Sequence, residues 1–500
     1  MASTFAVTRN HLIFGLCLPF AILLGYLLAD VTDPAGRIVI FIIIGVLVVP
    51  LLMRWYHVAL VFTWNMAAQP ALPGSPSLWA VMAVLGLGFA VLNRSMNPEN
   101  RFAQVPALTM PLLVLSLVVL ITAWATGGVG LRIFGSASMG GKGYFYIFAA
   151  IAGFFALSSR TIPTSQATLY LALFFLPGLT AVISRLAYWV GPGAHFLFYV
   201  FRPDFEIDLT APGQDTEFGA TRFGGMTIAA FSAICWMLAR FGVRGLFDFS
   251  KAWRLLAFLG LVTGGFLGGF RSFTILTLLT VGICFYLEKL WRTRIMLSVA
   301  LLTVLTGAFL VGFADQLPFS IQRSLSFLPL KLDPMVKISS QTSSEWRVDM
   351  WKSVIDQVPQ YLFKGKGYNI SADDMYMTQY SSLQGFYSSW ETAALAGDYH
   401  SGPLSLLIPF GIYGFIAFSW LIVAGTRFLH RMYRESPPEL KQINSFLLAV
   451  FLARGIFFFT VFGAVSHDLF HLTGLLGLSV ALNANRPAPA SEEPEPSPQI

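Results

Sequence analysis

Apolar runs at 11–29, 38–53, 56–69, 77–93, 105–125, 143–158, 167–189, 224–239, 254–270, 272–288, 296–313, 403–425, 444–463 and 467–484 segment this chain from end to end. A helix needs about 20 apolar residues to cross a bilayer, and these fourteen runs reach or approach that length. The run 56–69 is the weakest, because it holds His57 and Asn65. It reads either as a crossing or as an interfacial or re-entrant piece. Composition agrees: 56% of residues are hydrophobic and 11% charged, whereas soluble domains carry roughly 25% charged residues. The expected fold is an all-α, polytopic transmembrane helical bundle of about 12–14 spans.

The formal charge of +7 does not point to nucleic acid, since Lys and Arg gather in short links between apolar runs. Arg240, Arg244, Lys251 and Arg254 flank one link, Lys289, Arg292 and Arg294 a second, and Arg427, Arg431, Arg434 and Lys441 a third. Basic links face the cytoplasm, and the alternation between these three is consistent. Counting outward places 190–223, the turn at Gly268–Ser272 and the excursion 314–402 on the far side. Arg9 and Arg54 fall inside, and the acidic link Asp30–Asp33 outside, only if 56–69 crosses. Arg132 and Lys142 land outside against the rule, either as tolerated noise or as part of a surface for an anionic ligand. Arg9 precedes the run His11–Ala29, which reads as a first span and not as a cleavable signal.

All three cysteines, Cys17, Cys235 and Cys284, lie in apolar runs and read as small buried hydrophobes. No internal repeat is visible, which weighs against many transporter folds. Asn485–Ile500, rich in Pro, Glu and Ser, is expected to be a disordered tail.

The excursion 314–402 is too polar to cross. Ser343 or Ser344 can cap a helix with Glu345 in its first turn, ended by Pro359. Trp346, Met350, Trp351, Val354, Ile355 and Val358 then share one apolar face, and Arg347 is held near headgroup level. Arg271 follows Gly268-Gly269-Phe270 at the outer end of a span. A guanidinium there either has an anionic partner or snorkels to the headgroups. Arg222, in Thr221-Arg222-Phe223-Gly224-Gly225, is an interfacial anchor or a ligand contact. Lys364-Gly365-Lys366-Gly367 lacks nucleotide P-loop spacing and reads as a solvated basic turn.

His400, in Asp398-Tyr399-His400-Ser401, stands where the excursion re-enters an apolar run. No Cys or second His adjoins it at metal-ligand spacing. An imidazole among cations is biased toward its neutral form, the form a general base needs. His467 and His471, at i and i+4, could chelate a metal. However, Asp468 stands where a metalloprotease helix carries Glu, and no third ligand is apparent.

His400-Ser401, the nine residues Gly402–Phe410, then Gly411 and Gly414 resemble the His-[Asn/Ser/Gln]-x9-Gly-x-x-Gly signature of the bacterial O-antigen ligase and polymerase superfamily. Arg347 with Trp351, Pro359 and Gly365-Lys366-Gly367 is similar to the Arg-to-Gly pattern in that family's large periplasmic loop. Arg271 is similar to its other functional arginine. The resemblance covers roughly 215–480. Ser401 stands where Asn is commoner, and Phe415 replaces the hydroxyl residue that ligases often carry after the second glycine.

The resemblance implies a multi-pass protein of the bacterial inner membrane with a large, partly helical periplasmic loop. It implies a glycosyltransferase without cofactor or metal, passing a glycan from an undecaprenyl-diphosphate carrier to a sugar hydroxyl on a glycan or glycolipid acceptor, with inversion. By the same resemblance His400, Arg347 and Arg271 are the catalytic residues, with Arg271, Arg347 and Arg222 on the diphosphate. The runner-up reading is a transporter or flippase for an anionic lipid-linked glycan. The expected division is 1–313 as an N-terminal transmembrane bundle, 314–402 as the loop, 403–484 as C-terminal transmembrane helices and 485–500 as the tail.

Overall fold

A computed structural model of the protein describes residues 34–70, 74–96, 105–129, 140–203, 223–370 and 397–484, with isolated positions between them. Arg9, Cys17, Asp30, Asp33, Arg132 and the segment 485–500 lie outside the described residues. The chain forms two compact units, Met1–Ala59 and Leu60–Ile500. The greater part of the helix Pro34–Thr63 belongs to the first. Apart from that helix, everything below concerns the second.

The architecture is all-α and polytopic. Eight helices among the described residues are long and apolar enough to cross a membrane, and Gly141–Leu157, Trp253–Phe266 and Arg271–Leu287 are shorter apolar helices. The two-residue strands Thr216–Glu217 and Ala220–Thr221 pair as a small antiparallel hairpin.

One expectation is corrected. The runs 38–53 and 56–69 are not separate elements, because a single helix continues from Pro34 to Thr63. Arg54, taken as a link between them, sits inside that helix with its guanidinium 5.8 Å from the centre of the Trp55 ring. Arginine is among the better helix formers, so one charge between two apolar runs does not end a helix. The count that needed 56–69 to cross alone loses that span.

Lipid exposure separates the spans. The windows of Pro438–Thr460 and Val465–Asn483 are each 72% buried, whereas that of Ile295–Gln316 is 0% buried. The first two are therefore the centre of the bundle and the third lies at its surface, where its unbroken apolar side chains suit a lipid environment. Asn444 and Asn483 exchange amide hydrogen bonds of 3.0 Å between the central helices. Such reciprocal pairs satisfy polar groups that lipid cannot. Cys235 and Cys284 are buried free thiols, as their apolar runs led one to expect.

The excursion folds back onto the bundle instead of standing away from it. Thr274 donates to the Ser324 carbonyl at 3.1 Å, and Ser324 donates to the Phe266 carbonyl at 3.0 Å. The short helix Phe319–Ser324 is thereby fastened to the ends of Trp253–Phe266 and Arg271–Leu287. Farther along, the Tyr368 amide donates to the Tyr144 hydroxyl at 2.9 Å, and Asn369 donates to the Thr126 carbonyl at 3.0 Å. The loop thus grips the same end of the bundle at well-separated points.

The long helix of the excursion runs from Pro334 to Ile355. It starts some ten residues before the expected cap at Ser343 or Ser344. The sequence carries a stronger start at Asp333-Pro334: Asp333 Oδ1 accepts the Met335 amide at 2.7 Å and proline takes the first turn, where no amide is needed. Most of the expected apolar face forms. Met350 and Val354 are buried with Tyr399, Leu404 and Ile408, and Trp346, Trp351 and Val358 pack against them. Ile355 does not join and is 57% exposed, because the helix ends at that residue.

Candidate functional site

Two backbone features place the candidate side chains. Gly269, with φ of +71°, turns the chain between Trp253–Phe266 and Arg271–Leu287. Arg271 becomes the first residue of the second helix, the end at which the helix dipole disfavours a cation. Its Nη1 donates to Ser340 Oγ at 3.2 Å and Ser344 Oγ at 3.1 Å, hydroxyls one turn apart on Pro334–Ile355. Those bonds tie the loop helix to the span.

The second feature is a break within Gly402–Arg434. Gly411 has φ of +65°, and a side chain there would collide with the Leu362 carbonyl. The break frees carbonyls that the preceding loop then uses. The Lys366 amide donates to Ile408 O at 2.7 Å, the Gly367 amide to Pro409 O at 2.9 Å, and the Ile412 amide to Leu362 O at 2.7 Å. The Lys364–Gly367 segment is therefore not the solvated turn expected of it: Gly365 and Gly367 are buried and only Lys364 is exposed. The His-to-Gly-x-x-Gly spacing acquires a mechanical meaning, since the second half of the motif docks the loop that carries Arg347.

His400 precedes that helix in the left-handed region, φ +49°, an uncommon conformation for a residue with a side chain. Neighbours hold it there. Its amide donates to Asp398 Oδ1 at 3.3 Å, and Trp351 Nε1 donates to the adjoining Tyr399 carbonyl at 2.9 Å. The Trp346 ring meets the imidazole edge-on at 5.0 Å, and Phe462 lies 5.0 Å away on another side. Nδ1 is buried without a hydrogen-bond partner, and Asp398 Oδ1 is 3.9 Å from it.

These residues meet in one cavity of about 690 Å³, lined by Arg271, Arg323, Arg347 and His400 among others, with no Asp or Glu among its described lining residues. Arg347 is half-buried and makes no ion pair among the described residues. Burial first, and the Arg271 charge second, press its pKa down. Burial is also the leading cause that lowers the His400 pKa from its ordinary 6.5; Asp398 opposes it, and Arg347 and His467 add to it. Desolvation is thus the chief influence that favours the neutral imidazole, and its cationic neighbours act only secondarily.

The cavity unites three of the four residues singled out in the sequence. Arg222, the fourth, lies outside the described residues. Sequence reasoning missed Arg323, buried at 7% exposure on the short Phe319–Ser324 helix. Its signal was present, because it is one of few cations in the excursion. Phe462 had no usable signal, being 62 positions from His400 in a chain with 46 phenylalanines.

His467 and His471 stand a turn apart near the start of Val465–Asn483. Asp468 between them is engaged, its Oδ2 accepting the Ala464 amide at 2.8 Å. No group of three His, Cys, Asp or Glu side chains suited to a metal occurs among the described residues.

Fold and cavity define a class: a multi-pass helical membrane protein whose long loop closes a cationic chamber at one end of the bundle. Within it, residues 255–419 match the family model described as O-antigen ligase, so the resemblance to the O-antigen ligase and polymerase superfamily holds over about a third of the 500 residues. The matched stretch contains Arg271, Arg323, Arg347, His400 and Gly414. It supports a membrane glycosyltransferase-like role in polysaccharide assembly. A search of curated proteins finds no match to the chain.

Proposed function

We propose that this protein transfers a glycan from an undecaprenyl-diphosphate carrier to a hydroxyl of an acceptor sugar, with inversion, at the periplasmic face of the bacterial inner membrane. The observation that carries this reading is the convergence of Arg271, Arg347 and His400 on one cavity with no carboxylate among its described lining residues. Half-buried guanidiniums with no carboxylate partner among the described residues are expensive in isolation. A diphosphate at headgroup level satisfies them, because the arginine fork matches phosphate oxygens in pairs. The amides at the start of Arg271–Leu287 point the same way, as helix N-termini attract anions.

The chemistry then distributes itself. Neutral His400 takes the proton of the acceptor hydroxyl, whose oxygen attacks the anomeric carbon as the carbon–oxygen bond to the diphosphate breaks. The electron pair leaves with the diphosphate, and Arg271 and Arg347 stabilise the growing charge. Arg222 is a further candidate for the diphosphate on sequence grounds. The basic links at Arg240–Arg254, Lys289–Arg294 and Arg427–Lys441 support a periplasmic orientation for the opposite end, which carries His400.

The test is incubation of purified protein with a lipid-linked glycan and alternative acceptors, with mass analysis of the product. A new glycosidic bond is expected. Movement of the lipid-linked glycan across sealed vesicles without a new bond would replace this reading with transport. The same products separate ligase from polymerase, according to whether a glycolipid or another repeat unit accepts the glycan.

A further inference from the structure

The two ring nitrogens of His400 have different surroundings. Nδ1 is buried without a hydrogen-bond partner, whereas the residue lines the cavity of about 690 Å³ and its side chain keeps 23% of its surface exposed. Nε2 is therefore the nitrogen left to meet a substrate. Behind Nδ1 stands the carboxylate of Asp398, with Oδ1 3.9 Å away. That separation is about an ångström longer than an N–H···O bond. A small rotation of ring or carboxylate closes it, and hydrogen bonds at reaction centres commonly tighten only when substrate is bound. The backbone holds the carboxylate in place for this. The Gly397 amide donates to Ala394 O at 3.1 Å, the Asp398 amide to Ala393 O at 2.9 Å, and the His400 amide to Asp398 Oδ1 itself at 3.3 Å.

We propose that Asp398 is a positioning residue for His400: its carboxylate accepts a hydrogen bond from Nδ1–H and thereby fixes the tautomer whose Nε2 lone pair faces the cavity. This role rests on the transferase reading and deepens it. A neutral imidazole carries its single proton on one nitrogen or the other, and the hydrogen bond made by either nitrogen decides which. With the proton on Nδ1, Nε2 takes the proton of the acceptor hydroxyl. With the proton on Nε2, the ring shows the cavity a donor and does not act as a base.

After the transfer both nitrogens are protonated and the ring is cationic. Asp398 remains a carboxylate and faces that charge. Of the groups whose charge acts on His400, it alone favours the cation, while Arg347 from the loop helix and His467 from Val465–Asn483 oppose it. The aromatic neighbours Trp346 and Phe462 offer Nδ1 no side-chain acceptor. The left-handed backbone at His400 thus has a consequence beyond packing, because it sets one carboxylate oxygen against both the amide and the ring nitrogen of the same residue.

The test compares Asp398→Asn with Asp398→Ala in full-length protein, because a tautomer-setting role and a purely structural one rank these variants in opposite orders. An asparagine amide donates to Nδ1 and so selects the tautomer with its proton on Nε2. Asp398→Asn should therefore be the slower, with kcat down roughly a hundredfold against roughly tenfold for Asp398→Ala, and KM for the lipid-linked donor within about twofold of wild type in both. A side chain that serves only to accept the His400 amide would leave Asp398→Asn near wild type and make Asp398→Ala the slower. That order, equal rates in the two variants, or a loss confined to KM overturns the proposal. A second measurement needs neither turnover nor a change at Asp398. Nitrogen-15 spectra of histidine-labelled protein at about pH 8, where an ordinary imidazole is neutral, should show His400 with Nδ1 protonated and Nε2 bare. His400 is identified among the seven histidines by the signals lost in His400→Gln. The opposite tautomer overturns the proposal even if Asp398→Ala fails to fold. A protein that shows the Nδ1–H tautomer yet forms no glycosidic bond with any acceptor would remove the transferase reading and leave the pairing of Asp398 with His400 standing.

Discussion

The two ends of the bundle carry the same residue type in opposite circumstances. At one end Arg431 is 60% exposed and forms a 3.0 Å pair with Glu435 one helical turn on, itself 52% exposed. At the other, Arg271 and Arg347 are half-buried, and Arg271 has serine hydroxyls where Arg431 has a carboxylate. An exposed i, i+4 pair contributes about 0.3–0.5 kcal/mol and is typical of a solvated surface. Burial without a counter-charge destabilises a protein, and under the proposed function an anionic ligand supplies the charge that the described residues do not. The difference lies in surroundings and not in residue identity.

The largest effect that could break this comparison is at His400. Replacing it with alanine should lower transfer from a lipid-linked donor by about 10² to 10⁴, the usual contribution of a general base. Undiminished transfer would return the residue to a packing role beside Trp346 and Phe462.

Arg271→Lys preserves charge but loses the paired geometry. A drop in transfer of roughly a hundredfold is expected, and a wild-type rate would mean that Arg271 acts as a simple surface cation, like Arg431.

Acidity gives a subtler test of the same site. In the proposed mechanism His400 acts in its neutral form, and its pKa is depressed, so activity should persist as pH falls through the ordinary value of 6.5 and be lost only below it. Arg347 helps lower that pKa and Asp398 raises it. Residual activity in Arg347→Gln should therefore lose its acid limb at higher pH than wild type, and Asp398→Asn at lower pH. Shifts in the same direction in both variants would separate the limb from His400. The smallest effect belongs to the opposite end, where Arg431→Gln should leave transfer within about twofold and cost no more than the exposed pair supplies.

How much of this was readable beforehand varies residue by residue. The spacing from His400 to Gly414 was legible through its resemblance to a family signature, and the structure supplies a physical reason for it: a helix re-entry, a break and a close approach at fixed separations. Arg271 stood out because a guanidinium at the end of an apolar run has few neutral explanations. The start of Pro334–Ile355 was misread, since Ser343-Ser344 offered a cap as plausible locally as Asp333-Pro334, and only packing against the bundle selects between them. The merger of 38–53 with 56–69 escaped for a related reason: one arginine marks a link only when the backbone also turns there.

Sequence alone determined that the chain is a helical membrane protein, that its longest polar excursion ends at a histidine, and that arginines lie near span ends. Those properties follow from hydropathy and local spacing, which act over a few helical turns. Only the tertiary structure decided that Arg271, Arg323, Arg347 and His400 share one cavity and that Phe462 lies beside the imidazole there. It decided as well that burial outweighs nearby charge in keeping His400 neutral. Desolvation and convergence depend on groups scores of residues apart, and a linear chain does not specify those distances until it is packed.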